Sequence, residues 1–399
     1  MNDEQGEAAL MWLLEQAHDA APLALPGLFM ECGRRALLGD VTAYVADLQQ
    51  NWLVPLPQSD SPQDRPAEEP LAVDSTLAGW AYRTESIRLS PGADLITVWV
   101  PLVDGIERIG LLRVVTANLD ALRIARARAL ASLIALIVVS KSVFSDSVVR
   151  ATRRRPMSLP GELVWAFLPP LTIGTSQVTS TAVLEPAYAV GGDSFDHSLL
   201  NGTLHLTIAD AMGHDLAAGL QAAVALASCR TERRNGAGLP QIADEADEAL
   251  ARWVPDRMLT AVFAELDLES GELTWINAGH PPPLLIRGQH VVTGALEHRA
   301  EMALGLGAGY RRQARTVHHA HLEPGDRILI HTDGVTDARS AAGERFGEDR
   351  LIDFIVRATA AGERAPEALR RLIHAILDHP HGHLRDDATI LLAEWHPHV

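Results

Sequence analysis

An Asn-Gly pair at positions 201 and 202 constrains this chain more than any other two residues. It joins "DSFDHSLL" to "TLHLTIAD", two stretches that read as β-strands. Asn-Gly favours the two-residue type I′ hairpin turn, because both central residues must adopt positive φ. Leu200 then faces Thr203, and counting outward along the two strands sets Asp193 opposite Asp210. Like charges directly opposed across an antiparallel ladder are destabilising. The arrangement gains nothing structurally, whereas a divalent cation between the two carboxylates would turn repulsion into coordination.

Two more strand ends carry carboxylates. "RILIHTD" ends at Asp333, followed by Gly334, and "RDDATILL" opens with Asp386 and Asp387. Neighbouring antiparallel strands put the end of one at the same rim as the start of the other. Asp193, Asp210, Asp333 and Asp386 are therefore expected at one edge of a sandwich. Oxygen-only donors suit Mg²⁺ or Mn²⁺. Each element has a plainer reading by itself: Asp333-Gly334 as a turn, and the Asp386-Asp387 doublet as a solvated strand start. "HHAH" (318–321) and "HPHGH" (379–383) offer rival zinc ligands. Neither has the helical i, i+4 pair or the cysteine partners of a specific zinc site, so a surface or structural role is expected.

Composition narrows the class. The chain has 399 residues, 47% of them apolar, enough for two or three domains with sizeable cores. Its formal charge of −17 argues against general nucleic-acid binding, which needs a basic surface. Cys32 and Cys229 do not make a disulfide framework, which points to a reducing, cytoplasmic setting. Cys229 opens "CRTERRN", where Asn235 stands at the position a cysteine-phosphatase loop needs arginine, so it reads as a buried helix residue. The N-terminus lacks a signal-peptide pattern. The apolar run at 129–140 falls short of the ~20 residues that span a bilayer, so a buried or dimerising helix is expected and no membrane association.

Three regions follow. Residues 1–118 read as a small α/β domain, with helical periodicity in "EAALMWLLEQAHDA" and "LPGLFMECGRRALL". "PQSDSPQDRPAEEP" (57–70) reads as a mobile loop, and Asp104-Gly105 marks a hairpin. Residues 119–157 read as a helical connector ending in "RATRRRP", where basic residues suit the helix C-terminus and Pro156 blocks continuation. Residues 158–399 mix hairpins with helices, the pattern of an α+β layer fold.

The stretches "AVGGDSFD", "IADAMGHD", "MLTAVFAELDLESGELTWINAGHPPPLL", "LEPGDRILIHTDGVTDAR" and "RDDATILL" resemble the PPM-type metal-dependent serine/threonine phosphatases, in the bacterial branch similar to stage II sporulation protein E. The resemblance implies an α-β-β-α sandwich and two bound ions, Mn²⁺ or Mg²⁺. Within it Asp210 is the carboxylate bridging both metals, and Ala211 supplies a backbone carbonyl. Asp333 and Asp386 ligate the second metal, and Asp193 serves the first, through water. The implied chemistry is attack by a metal-activated water on phosphoserine or phosphothreonine, with no side-chain nucleophile. The implied substrate is a STAS-type anti-anti-sigma factor. Three positions depart from the family pattern: Ala211 and Asp215 stand where glycine is usual, and Ser194 where an aromatic is usual.

"STLAGWAYRT" followed by "VWVPLVDGIERIGLLRVV" resembles a GAF sensor domain, with a PAS-like or unrelated α/β dimerisation domain as the alternative. Homodimerisation through residues 119–150 is expected. The alternative overall reading is a sensor or scaffold protein with a weak or degenerate phosphatase domain. A two-metal nuclease or phosphodiesterase suits so acidic a chain less well. A kinase is disfavoured because no Gly-rich phosphate loop with a following lysine is present.

Overall fold

The computed structural model describes residues 3–57, 68–306, 314–340, 342–379, 384 and 386–396. The chain divides into two compact units, Met1–Pro156 and Met157–Val399.

The first unit holds one antiparallel sheet in the order Leu71–Ala72, Trp52–Pro55, Asp40–Ala46, Glu107–Thr116, Ile96–Asp104, Arg88–Pro91. The hairpin read at Asp104-Gly105 is present: Asp104 pairs with Glu107, and Gly105 takes φ +61°. Helices Glu4–Asp19, Leu25–Arg35 and Ala121–Ser142 build the core, with Leu13, Phe29, Leu130 and Ile134 buried among Val98, Val100 and Leu112.

The region read as a separate connector behaves differently. Residues 119–157 contain helices Ala121–Ser142 and Asp146–Thr152, and the longer one buries Ala127, Leu130, Ala131, Ile134, Ala135, Ile137 and Val138. These side chains join the core of the first unit, so the apolar run is covered by this unit's own sheet and helices. Leu136, Val143 and Phe144 remain exposed. Most of the segment read as a mobile loop, 57–70, lies outside the described residues. Among the described residues no single helix is long and apolar enough to cross a membrane.

The second unit is a sandwich of two antiparallel sheets. The five-stranded sheet runs His318–His321, Glu272–Ala278, Leu259–Asp267, Thr203–Ala211, Asp193–Leu200. The six-stranded sheet runs His290–Val291, Leu284–Arg287, Arg327–His331, Ala388–Trp395, Val178–Glu185, Thr172–Gly174. Alternation along the strands sends one set of side chains inward. Phe195, Leu206, Ile208, Val262 and Trp275 meet Ala182, Leu184, Ile328, Ile330 and Leu391 in the central core. Full burial of a leucine or isoleucine there contributes about 1.5–3 kcal/mol.

The outward sets meet helices. Helices Leu216–Arg234 and Leu239–Trp253 pack Ala218, Cys229 and Leu250 on Ala209 and Phe263. Helices Glu348–Ala360 and Ala365–Asp378 pack Leu351, Ile355, Leu369 and Ile373 on Leu329, Ile390 and Leu392. The layers are α-β-β-α, as expected, and Cys229 is a buried free thiol on a helix.

Candidate metal centre

The hairpin closes as its sequence requires. Asn201 and Gly202 have φ of 51° and 79°, Leu200 pairs with Thr203, and Asp193 lies opposite Asp210. Asp193 is 2% exposed. Its Oδ2 accepts hydrogen bonds from the hydroxyls of Thr332 and Thr389, both at 2.7 Å. The Thr389 N–H in turn donates to Thr332 Oγ1 at 2.9 Å. Thr332 follows strand Arg327–His331 and Thr389 lies in Ala388–Trp395, so the six-stranded sheet grips a carboxylate of the five-stranded sheet. Burial holds the Asp193 carboxyl well above the usual carboxylate range, the charges of Asp210 and Asp387 add to this, and the two threonines oppose it.

The doublet at 386–387 splits into two roles. Asp387 is buried, and its Oδ2 accepts the backbone N–H groups of Gly191 and Gly192 at 2.8 Å and of Asp193 at 3.2 Å. This fixes the Gly-Gly-Asp segment to the start of the last strand. The glycines are needed for close approach: a Cβ on Gly191 would lie 2.4 Å from the His214 carbonyl oxygen, and one on Gly192 2.5 Å from those of Ala211 and Gly213. Asp386 is exposed, and its Oδ1 accepts the Asp387 N–H at 3.0 Å.

Asp333 is not in a turn. It opens the short helix Asp333–Asp337. Gly334 is absent from the positive-φ positions, so backbone freedom is not what it provides. A Cβ there would sit 1.8 Å from the Asp387 carbonyl oxygen, so glycine lets this helix abut the last strand. Asp337 faces Arg345 at 3.1 Å, an exposed pair worth little.

The carboxylates act on one another. Asp210 is pushed up to about 7 by burial, then by Asp333, Asp386 and Asp387. Asp333 is raised by burial, then by Asp386 and Asp337. The structure therefore brings Asp193, Asp210, Asp333 and Asp386 into one electrostatic neighbourhood. Among the described residues, no three acidic, histidine or cysteine side chains already form a group that could hold a metal ion. The donor set fits a hard divalent cation: every member is an oxygen, and the mutual destabilisation is relieved by positive charge.

Two of the three departures from the family pattern have structural answers. Ala211 pairs with Leu259 in the strand, its N–H donates to the Gly192 carbonyl at 3.3 Å, and it has no positive φ, so alanine causes no backbone strain. Asp215 caps helix Leu216–Arg234, accepting the Ala218 N–H at 2.9 Å and pairing with Arg257 at 2.7 Å. Ser194 is 1% exposed with no partner for its hydroxyl, and nothing in the structure explains that choice.

"NAGH" carries a role that its sequence did not disclose. Asn277 accepts the His280 N–H at 2.8 Å and donates its amide to the His280 carbonyl at 2.9 Å. His280 Nδ1 then lies 2.9 Å from the hydroxyl of Thr260, the residue opposite Asp210. Burial, with the neighbouring His331, lowers His280 to about 3, so it stays neutral. His318 stacks on His298 with ring centroids 4.0 Å apart, and His319 lies 3.2 Å from Glu272. In "HPHGH", residues 380–383 lie outside the described residues.

Asp210 also predicts a pH signature. Its folded pKa of about 7 lies above its ordinary 3.8, so its contribution favours the metal-free fold at low pH and is lost as pH rises through 7. The metal-free protein should lose melting temperature between about pH 4 and pH 7, and saturating Mn²⁺ should remove or reverse that slope. A metal-free slope of opposite sign in differential scanning calorimetry would show that the acidic rim is not the dominant titrating feature.

Residues 201–396 match the family model described as Stage II sporulation protein E (SpoIIE). The matched residues all lie within the second unit and make up most of it.

Among curated proteins the chain is similar to phosphoserine phosphatase RsbU of Bacillus subtilis, at 23% identity over 53% of this chain and 61% of that protein. It is also similar to protein IcfG of Synechocystis, at 25% identity over 64% of this chain and 44% of that one. The chain spans about half the length of these relatives. Among solved structures, the SiaA-PP2C domain of Pseudomonas aeruginosa superposes with a TM-score of 0.49 at 21% identity, over 59% of this chain and 94% of that one.

Proposed function

We propose that the protein hydrolyses phosphoserine or phosphothreonine on a regulatory protein, a STAS-type anti-anti-sigma factor, at the acidic rim of the second unit. The observation that carries this reading is the Asp193–Asp210 opposition, an arrangement costly to the fold and suited to a divalent cation. Asp210 would bridge two ions, Ala211 would offer its carbonyl, Asp333 and Asp386 would complete one ion's ligands, and Asp193 would serve the other through water. Bound there, Mn²⁺ or Mg²⁺ supplies Lewis acidity and a water of lowered pKa.

The chain's own residues position the site. Thr332 and Thr389 orient the Asp193 carboxylate, Asp387 anchors the segment carrying it, and the Asn277-clamped His280 meets the hydroxyl of Thr260, which the ladder sets opposite Asp210. The first unit would act as a GAF-like sensor. Its antiparallel sheet and the helix Leu77–Thr84, formed by "STLAGWAYRT", support that part.

The buried, unpartnered hydroxyl of Ser194 next to Asp193 favours one second reading, a scaffold whose phosphatase domain is weak or degenerate. Incubation with a chromogenic aryl phosphate and with a serine-phosphorylated STAS-domain protein separates the two. Manganese-dependent phosphate release from both, abolished by chelation, is expected. Binding of the phosphoprotein without release at saturating Mn²⁺ would favour the scaffold.

A further inference from the structure

Beside the acidic rim lies an apolar surface that the chemistry does not use. Met212, two residues beyond Asp210, is 51% exposed. Its N–H donates to the carbonyl of Met258, itself 43% exposed. The Asp215–Arg257 ion pair, at 2.7 Å, ties the same two segments together again. Helix Leu216–Arg234 continues from that cap, with Leu216 and Leu220 exposed at 47% and 46% on successive turns. The same helix lies against the rim: Gly219 faces the Gly191 carbonyl, and a Cβ there would be 3.3 Å from it.

Four large apolar side chains on two tethered segments thus adjoin the residues proposed to hold the metal. Exposed apolar surface grouped in this way marks interaction sites in soluble proteins. Two of the four are methionines, whose flexible thioethers adapt to a partner's shape. A small phosphate ester has no need of them. A phosphoserine on a folded protein is different, because its side chain is short and the surface around it must come down on whatever flanks Asp210.

We infer that Met212, Leu216, Leu220 and Met258 form the docking surface for the folded phosphoprotein substrate, engaging an apolar rim around its phosphoserine. This rests on the phosphatase reading and assigns that site its means of selecting protein over small esters.

Leu216→Lys and Leu220→Lys, singly and together, test it, since both residues are half exposed and outside the metal-holding set. Hydrolysis is followed with three probes at saturating Mn²⁺: a chromogenic aryl phosphate, a phosphoserine peptide, and a serine-phosphorylated STAS-domain protein. The expected result is unchanged turnover of the aryl phosphate and the peptide, with kcat/KM for the phosphoprotein reduced about 10-fold or more, through KM. Light scattering on the same variants reports the alternative occupant, a second copy of this chain.

Equal loss on all three probes would overturn the inference by showing damage to the site. Full retention on the phosphoprotein would overturn it while leaving the phosphatase reading intact. Wild-type protein that cleaves the aryl phosphate but not the phosphoprotein would also overturn it, as would variants whose main effect is a halved mass. Wild-type protein inactive on every probe would instead refute the phosphatase reading itself.

Discussion

Replacing Asp210 with asparagine should lower phosphate release by about 10³-fold or more at saturating Mn²⁺, the consequence of losing several kcal/mol of metal-based charge stabilisation. The same substitution should leave the metal-free protein at least as stable as the parent above pH 7. Asp210 is raised to about 7 by burial and by Asp333, Asp386 and Asp387, so its ionised form works against the fold there. An asparagine of nearly the same shape removes that charge. Steady-state phosphate release and calorimetric melting without metal, measured on one preparation, check the two halves. Asp333→Asn should share the loss of activity. Either variant at full activity would refute the metal-bridging role.

Gly334→Ala should be the most damaging of the small substitutions. The added Cβ would lie 1.8 Å from the Asp387 carbonyl oxygen, a backbone atom that cannot swing aside. Either helix Asp333–Asp337 or the start of strand Ala388–Trp395 must move, and both carry rim carboxylates or their anchor. Overpacking of this kind typically costs about 1–3 kcal/mol and at times more. Urea unfolding should show that loss, and isothermal titration with Mn²⁺ should show weakened binding in whatever protein stays folded. Unchanged stability together with unchanged metal affinity would mean the contact relaxes easily.

The parts of this site legible in the sequence were those governed by local rules. Asn201-Gly202 dictates a type I′ turn, and a type I′ turn dictates register, so the Asp193–Asp210 pairing followed by counting. Strand polarity brought Asp333 and Asp386 to the same neighbourhood. What stayed hidden depends on contacts between residues far apart in the chain. Gly334 looked like a turn former because Asp-Gly usually is one, and its real constraint is a carbonyl fifty-odd positions downstream. Thr332 and Thr389 carry no signal of their own, since threonine is unremarkable in a strand. The doublet at 386–387 gave no hint that only its second member turns inward to hold three backbone amides. The helix Ala121–Ser142 was readable as a buried or dimerising helix, but its periodicity does not say which surface covers it, and the first unit's own core does.

The threonine grip on Asp193 also bears on biosynthesis. Thr389 reaches back across 196 positions of sequence to that carboxylate, and Asp387 reaches back a similar distance to Gly191 and Gly192. Until the strand Ala388–Trp395 has left the ribosome and docked, the acidic hairpin has neither its hydroxyl clasp nor its amide anchor. A nascent chain therefore carries two opposed, unrestrained aspartates rather than a working centre. The clasp and the anchor both wait on residues made almost 200 positions after the carboxylate they hold.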